Sequence, residues 1–155
     1  MEQAGEHRRV SIMLDYLFGR GVSKALPKEN LRVVYSRRSG RVKLIFHDGK
    51  LLATVKPNGA MALSIYGAEL LSKGPSFKHN YVVVSDDAAG FVRGGKSVFC
   101  KFVESAGKNV LPKGEVAVVD KQGKVLGVGM AVMKGEYIRG FKSGAAVKVR
   151  TGREK

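Results

Sequence analysis

The pattern of hydrophobic and polar positions changes period along the chain, and each change marks a new element. Between residues 7 and 18 the apolar side chains Val10, Met13, Leu14, Leu17 and Phe18 recur at spacings of three and four, which predicts one face of an α-helix. Gly19 and Gly21 close that helix, residues 22–26 read as a further helical turn, and Pro27 stops it. The pattern then shifts to short runs of β-branched and aromatic residues bounded by turn residues. Strands are predicted at 31–36, 41–47, 50–56 and 61–66. Between them stand Arg37-Arg38-Ser39-Gly40, the two-residue hairpin signal Asp48-Gly49, and Asn58-Gly59. This is a four-strand antiparallel meander. A short helix over 67–73 follows and ends at Gly74-Pro75.

A second set of elements begins at Tyr81. Residues 81–84 read as a strand, Ser85-Asp86-Asp87 as the cap of a short helix, and residues 98–103 as a strand. Further strands are expected at 115–119, 124–133 and 145–150, with a short helix or turn at 135–141. Gly127 and Gly129 interrupt the longest of these strands, which predicts a bulge or a bent barrel corner. About six short strands closing on themselves make a small mixed barrel. The fold class is therefore α+β, with a small N-terminal domain built on the meander followed by the barrel. The polar stretch 72–80 separates the two sets, and the expected domains are residues 1–78 and 79–155.

Charge narrows the function. The 155 residues carry 28 basic and 13 acidic side chains, a net of +15 with a pI near 10.2. That imbalance calls for a polyanion, nucleic acid first. The basic residues lie on strands and turns, not on one amphipathic helix, and no run approaches 18 apolar residues, so no membrane is expected as a partner. Residues 1–79 hold 14 basic and 6 acidic residues (net +8), and residues 80–155 hold 14 and 7 (net +7), so both halves are expected to face the polyanion. Aromatic residues are 8% with no tryptophan, which favours recognition of a folded RNA over stacking of a long single strand. Cys100 is read as a small core residue. His7, His47, His79 and Cys100 are scattered, so neither metal nor cofactor is expected. The polar start at residues 2–9 is unlike a signal peptide and gives a cytoplasmic expectation.

Residues 90–99, GFVRGGKSVF, support two function classes. Taken literally, Gly90 through Ser97 satisfies G-x-x-x-x-G-K-[ST], the signature of a nucleotide-binding phosphate loop. A phosphate loop needs a strand before it and a helix after it, whereas here the predicted order is helix, glycine turn, strand. Gly94-Gly95 alternatively ends a helix as a plain cap, or forms an RNA-binding edge in which bare backbone lies between Arg93 and Lys96. Arg37 and Arg38 with Arg41 and Lys43 are either a solvated turn or a set of phosphate contacts at a hairpin tip. Asp86-Asp87 could be paired catalytic carboxylates, but adjacent aspartates opening a helix are better explained as cap and dipole partners. No catalytic residue is assigned.

The second half resembles a PUA domain, the RNA-binding module named after pseudouridine synthases and archaeosine transglycosylases. The resemblance rests on GFVRGGKSVF at 90–99, KGEVAVVD at 113–120, LGVGMAVMKGE at 126–136 and GAAVKVR at 144–150. The first half is similar to the domain preceding that module in archaeosine tRNA-guanine transglycosylases, through DYLFGRG at 15–21, YSRRSGRVK at 35–43 and YGAELL at 66–71. In that archaeal tRNA-modification family the module engages the tRNA acceptor stem and its 3′ end. The resemblance thus implies RNA contact at Arg93, Gly94, Gly95, Lys96 and Ser97, and, on neighbouring strands, at Lys101, Lys148 and Arg150. The family's catalytic part is a large barrel with an aspartate nucleophile and zinc, and 155 residues filled by two small domains leave no room for it. What is implied is a stand-alone copy of the tRNA-binding tail, not an enzyme by itself, acting alone or beside a catalytic tRNA-modification subunit.

Overall fold

A computed structural model describes residues 2–154 and divides the chain into two compact units, Met1–Phe77 and Lys78–Lys155. In the first unit, helix α1 (Glu2–Phe18) begins five residues before the predicted start. Val10, Leu14 and Phe18 are its buried stripe, at the spacing of four that puts them on one face. The Gly19 amide bonds the Asp15 carbonyl at 3.0 Å, and the Asp15 carboxylate accepts from the Ser23 amide at 2.9 Å. The DYLFGRG stretch is thus a helix stop that also anchors the following single turn, Val22–Ala25.

The meander follows as β1 (Leu31–Tyr35), β2 (Val42–His47), β3 (Lys50–Val55) and β4 (Met61–Leu63), antiparallel and in sequence order. Asp48 and Gly49 both take positive φ, 50° and 75°, as a tight two-residue turn requires. The fourth strand is shorter than the predicted 61–66. Ser64 ends it by becoming the cap of α2 (Ile65–Leu71): its Oγ accepts from the Gly67 amide at 2.9 Å and donates to the Leu51 carbonyl at 2.6 Å. Gly67 lies flat against the Leu52 carbonyl, where a Cβ would collide with it. Ile45, Leu52, Leu71 and Phe77 complete this core.

The second unit is β5 (Tyr81–Val84), α3 (Asp86–Arg93), β6 (Val98–Phe99), β7 (Val103–Ala106), β8 (Glu115–Val119), β9 (Val125–Ala131), α4 (Gly135–Ile138) and β10 (Ala145–Gly152). Its sheet runs β6-β10-β9-β8-β5-β7, antiparallel except for the parallel pair β5 and β8. The predicted strand 98–103 is not continuous. A tight turn at Cys100–Phe102 breaks it, so β6 pairs with β10 at one edge while β7 pairs with β5 at the other. One broken strand thereby draws the two edges into a nearly closed barrel, and such closure removes exposed edges. Val82, Val98, Val116, Leu126 and Ile138 are fully or almost fully buried inside. Cys100 joins this core, and burial pushes its thiol above the ordinary value, as a packing residue requires.

Bulges flank Gly127 and Gly129 as the sequence suggested. Leu126 is the extra residue of β9 against β8, and Arg150 the extra residue of β10 against β9. A Cβ on Gly129 would strike the Lys148 carbonyl and come within 2.8 Å of Val149 Cα. Gly129→Ala is therefore expected to lower unfolding free energy by about 1–3 kcal/mol through overpacking. Gly5→Ala, in α1 with open space around the added carbon, is expected to raise it by about 0.5–1 kcal/mol. Urea denaturation of the two variants checks both signs.

Candidate nucleic-acid interface

The residues 90–97 do not form a phosphate loop. Gly90, Phe91 and Val92 belong to α3, which runs on to Arg93, and a strand follows the Lys-Ser pair. The amides of this turn already have partners: Gly94 bonds the Gly90 carbonyl at 3.1 Å, Gly95 that of Val92 at 2.9 Å, and Lys96 that of Phe91 at 2.9 Å. The last two bonds make a Schellman cap, with Gly95 as its left-handed residue at φ 91°. The plain-cap reading of Gly94-Gly95 is correct as to backbone. It leaves contact with a ligand to side chains and to the glycine surface, because those three N–H groups already bond helix carbonyls.

The cap is also packed from behind. Gly152 of β10 sits directly on the carbonyls of Val92 and Arg93 and the amide of Gly95, where any Cβ would collide. Glu154 donates its amide to the Arg93 carbonyl at 2.9 Å, and its carboxylate meets Arg93 Nε at 3.2 Å. Arg93 is consequently tethered to an acid. Arg150 is too: its guanidinium forks onto the Glu115 carboxylate, with Nη1 to Oε1 at 2.9 Å and a second bond from Nη2 to Oε2. Glu115's side chain is only 7% exposed, so this fork holds β10 to β8.

The remaining cations of this unit are differently placed. Gly94, Lys96 and Ser97 are exposed, and Lys148 is exposed on β10, one residue beyond the Val147–Val98 pair at the glycine-turn end of β6. Lys101 is in the tight turn instead of a strand, with its Nζ 5.1 Å from the centre of the Phe102 ring. Two aromatic residues not anticipated as contacts flank the turn: Phe91 is 64% exposed and Phe99 49%. The composition count hid them, since few aromatics in total still leaves two beside one turn.

In the first unit, Arg37, Arg38 and Arg41 lie at the β1–β2 hairpin tip, held by Ser36 N–H to Arg41 carbonyl at 2.8 Å and Gly40 N–H to Ser36 carbonyl at 2.8 Å. Arg38 and Arg41 line a groove of about 1000 Å³ with Arg9, Lys43 and Lys56, over a floor including Met13, Val42 and Val55. Among the described residues no carboxylate lines it. Arg37 is exposed outside the groove. Arg9 and Lys56 are the members that sequence reading missed, because α1 and β3 bring them from distant positions. Arg9 is positioned over the Tyr35 ring at 5.7 Å, and Tyr35 donates to Glu6 at 3.1 Å. Burial and then the Glu6 bond raise the Tyr35 phenol above its ordinary value, keeping it a donor. Among the described residues no group of three or more His, Cys, Asp and Glu is arranged to hold a metal, and no helix is long and apolar enough to cross a membrane.

Comparison with known proteins identifies both units. Residues 8–77 match the patch-forming domain C2 of tRNA-guanine transglycosylase, and residues 80–153 match the PUA domain. The chain joins a transglycosylase C2 domain to a PUA domain. It is 39% identical over 155 residues to a tRNA-guanine(15) transglycosylase of Thermococcus kodakarensis, covering 99% of this chain and 26% of that protein. A second relative of the same description, from Thermoplasma volcanium, is 34% identical over 150 residues and is covered to 23%. The chain thus spans about a quarter of the length of the relatives it matches. Solved structures share the fold: a hypothetical protein of Pyrococcus horikoshii OT3 (TM-score 0.74, 21% identity, 97% of this chain and 92% of that one) and a conserved PUA domain protein of Thermoplasma acidophilum (0.69, 19%, 100% and 93%).

The Schellman geometry separates the two glycines of the PUA turn. Gly94 has φ −80°, and a Cβ there would meet only ordinary contacts at 3.6 Å, so Gly94→Ala should leave stability within about 0.5 kcal/mol of wild type. Gly95→Ala forces a side chain into the left-handed region and is expected to cost about 1–2 kcal/mol. Chemical denaturation of the pair measures the difference.

Proposed function

We propose that this chain is a non-catalytic RNA-binding protein of two domains, residues 1–78 and 79–155, that holds structured RNA, with tRNA as its target. The observation that carries this reading is the basic groove of the C2 unit: among the described residues, five cations and no carboxylate over an apolar floor. A phosphate backbone laid there meets Arg9, Arg38, Arg41, Lys43 and Lys56, and Arg37 at the hairpin tip extends the same surface. Each phosphate neutralised releases condensed counterions, which is the main source of affinity for such sites.

The PUA unit contributes the glycine turn. Lys96, Ser97 and Lys148 are exposed for backbone contact, and Phe91 and Phe99 offer ring faces for unpaired bases. Lys101 offers a further cation in the turn Cys100–Phe102, beside the start of α3, while Arg93 and Arg150 act through their acid partners, shaping the turn and β10. The relatives are named for guanine 15 of tRNA, which supports tRNA as the RNA class; contact with its acceptor stem and 3′ end rests on the resemblance of residues 90–99 and the later strands to a PUA domain. Because this region is about a quarter of each relative, the reading assigns it RNA holding, with chemistry left to a catalytic subunit.

Binding of a tRNA transcript, followed by fluorescence anisotropy across a potassium chloride series, is expected to weaken with a slope corresponding to roughly four to eight phosphates. Replacing Arg38 and Arg41 together with alanine should lower that slope by roughly two. A flat salt response would refute the reading. The nucleotide-binding alternative has no support in the turn, since a helix precedes it and its amides are bonded to that helix. Purified protein is accordingly expected to show no magnesium-dependent hydrolysis of ATP or GTP. Hydrolysis abolished by Lys96→Ala would reverse this.

A further inference from the structure

We propose that the PUA unit carries a pocket for one unstacked nucleotide at the end of α3 opposite the glycine turn. A hollow of about 410 Å³ lies there, lined by Ser85, Lys101, Phe102, Arg139, Phe141 and Lys142. Its size suits a single small ligand. α3 has eight residues, so the hollow and the glycine turn are about 12 Å apart along the helix axis.

Three independent features point to a nucleotide. The first is charge: Lys101, Arg139 and Lys142 come to one mouth, and none of them is ion-paired with a carboxylate among the described residues. The one acid in the lining, Glu104, is engaged by Lys121 at 3.7 Å. An anion is therefore the matching ligand. The second is an aromatic surface: Phe141 is 52% exposed beside these cations, and Phe102 also belongs to the lining. A ring exposed among cations suits a base carrying its own phosphate, because the base stacks while the phosphate meets the charges.

The third is an orphan hydroxyl. Ser85 occupies the cap position of α3, yet its side chain makes no capping bond, and its Oγ is buried without a partner. Ser64, in the same position before α2, has both a donor and acceptors. A buried hydroxyl left unbonded is unfavourable, so a ligand edge that reaches the Ser85 Oγ would give it the partner it lacks. In the bound state the phosphate lies among Lys101, Arg139 and Lys142, the base against Phe141, and a base edge at Ser85.

The assignment rests on the RNA-binding reading, and the test separates the two. A blunt hairpin RNA and the same hairpin with a four-nucleotide single-stranded extension are titrated against the full chain, in wild type, Phe141→Ala, Ser85→Ala and Lys142→Ala forms. Wild type should bind the extended hairpin roughly tenfold more tightly than the blunt one, and Phe141→Ala should reduce that difference while leaving the blunt affinity unchanged, any remainder belonging to Phe91 and Phe99. Ser85→Ala should change which base is preferred in the extension. Phe141 and Lys142 are exposed, and unchanged thermal unfolding of Phe141→Ala and Lys142→Ala verifies that they fold; if Phe141→Ala does not, Lys142→Ala carries the comparison. Equal wild-type affinity for both RNAs, or equal losses on both in these variants, overturns the pocket and leaves RNA binding standing. Failure to bind either RNA overturns both.

Discussion

The second unit depends on the contact between Gly152 and the C-terminal turn of α3. Because residue 152 has no Cβ, β10 can lie against the Val92 and Arg93 carbonyls and the Gly95 amide. The same approach allows Glu154 to bond the Arg93 carbonyl and Arg153 to bond the Leu126 carbonyl at 2.9 Å. The last strand is thereby tied both to the helix and to β9. With β10 fixed, β6 has an edge to pair with, and the turn at Cys100–Phe102 can send β7 to the far edge of the sheet. The glycine turn is thus part of how the barrel closes, and its exposed face is presented by a backbone whose Gly94, Gly95 and Lys96 amides already bond helix carbonyls.

The distribution of acids explains how a chain of such charge still folds. In the second unit Glu104, Glu115, Glu136 and Glu154 each meet a cation: Lys121, Arg150, Lys134 and Arg93. Exposed pairs of this kind contribute little stability individually. The Arg150–Glu115 fork differs, since the carboxylate is nearly buried and both its oxygens are bonded. The pairs also sort the basic residues by role. Arg93 and Arg150 hold strands and helix ends in place, while Lys96, Lys101, Lys148, Arg139 and Lys142 are exposed and, among the described residues, have no carboxylate partner.

In the first unit the same division falls between backbone fit and surface charge. Gly67 against Leu52 and the Ser64 cap fasten α2 to β3, and Tyr35 with Glu6 orients Arg9 from α1. The Gly67 and Ser64 contacts account for the YGAELL stretch as a structural device, as the bonds of Asp15 to Gly19 and Ser23 account for DYLFGRG. The basic members of YSRRSGRVK are instead at a hairpin tip and along a groove, where no packing requirement explains them.

Local pattern by itself determined most of the element order, the antiparallel meander and the net positive field, since each depends on residues near one another in sequence. It also located the bulges beside Gly127 and Gly129 and the helix stop at Gly94-Gly95. Three matters were decided only by tertiary structure. The break in strand 98–103 follows from pairing with two different strands, β10 and β5, which no local period encodes. The end of β4 at Ser64 follows from hydrogen bonds to Leu51 and Leu52 across the sheet. The sorting of cations into structural and available ones follows from partners 35 and 61 residues away, Glu115 for Arg150 and Glu154 for Arg93. A charge read from sequence has a sign but no partner, and it is the partner, brought in by the fold, that determines whether it is free to meet RNA.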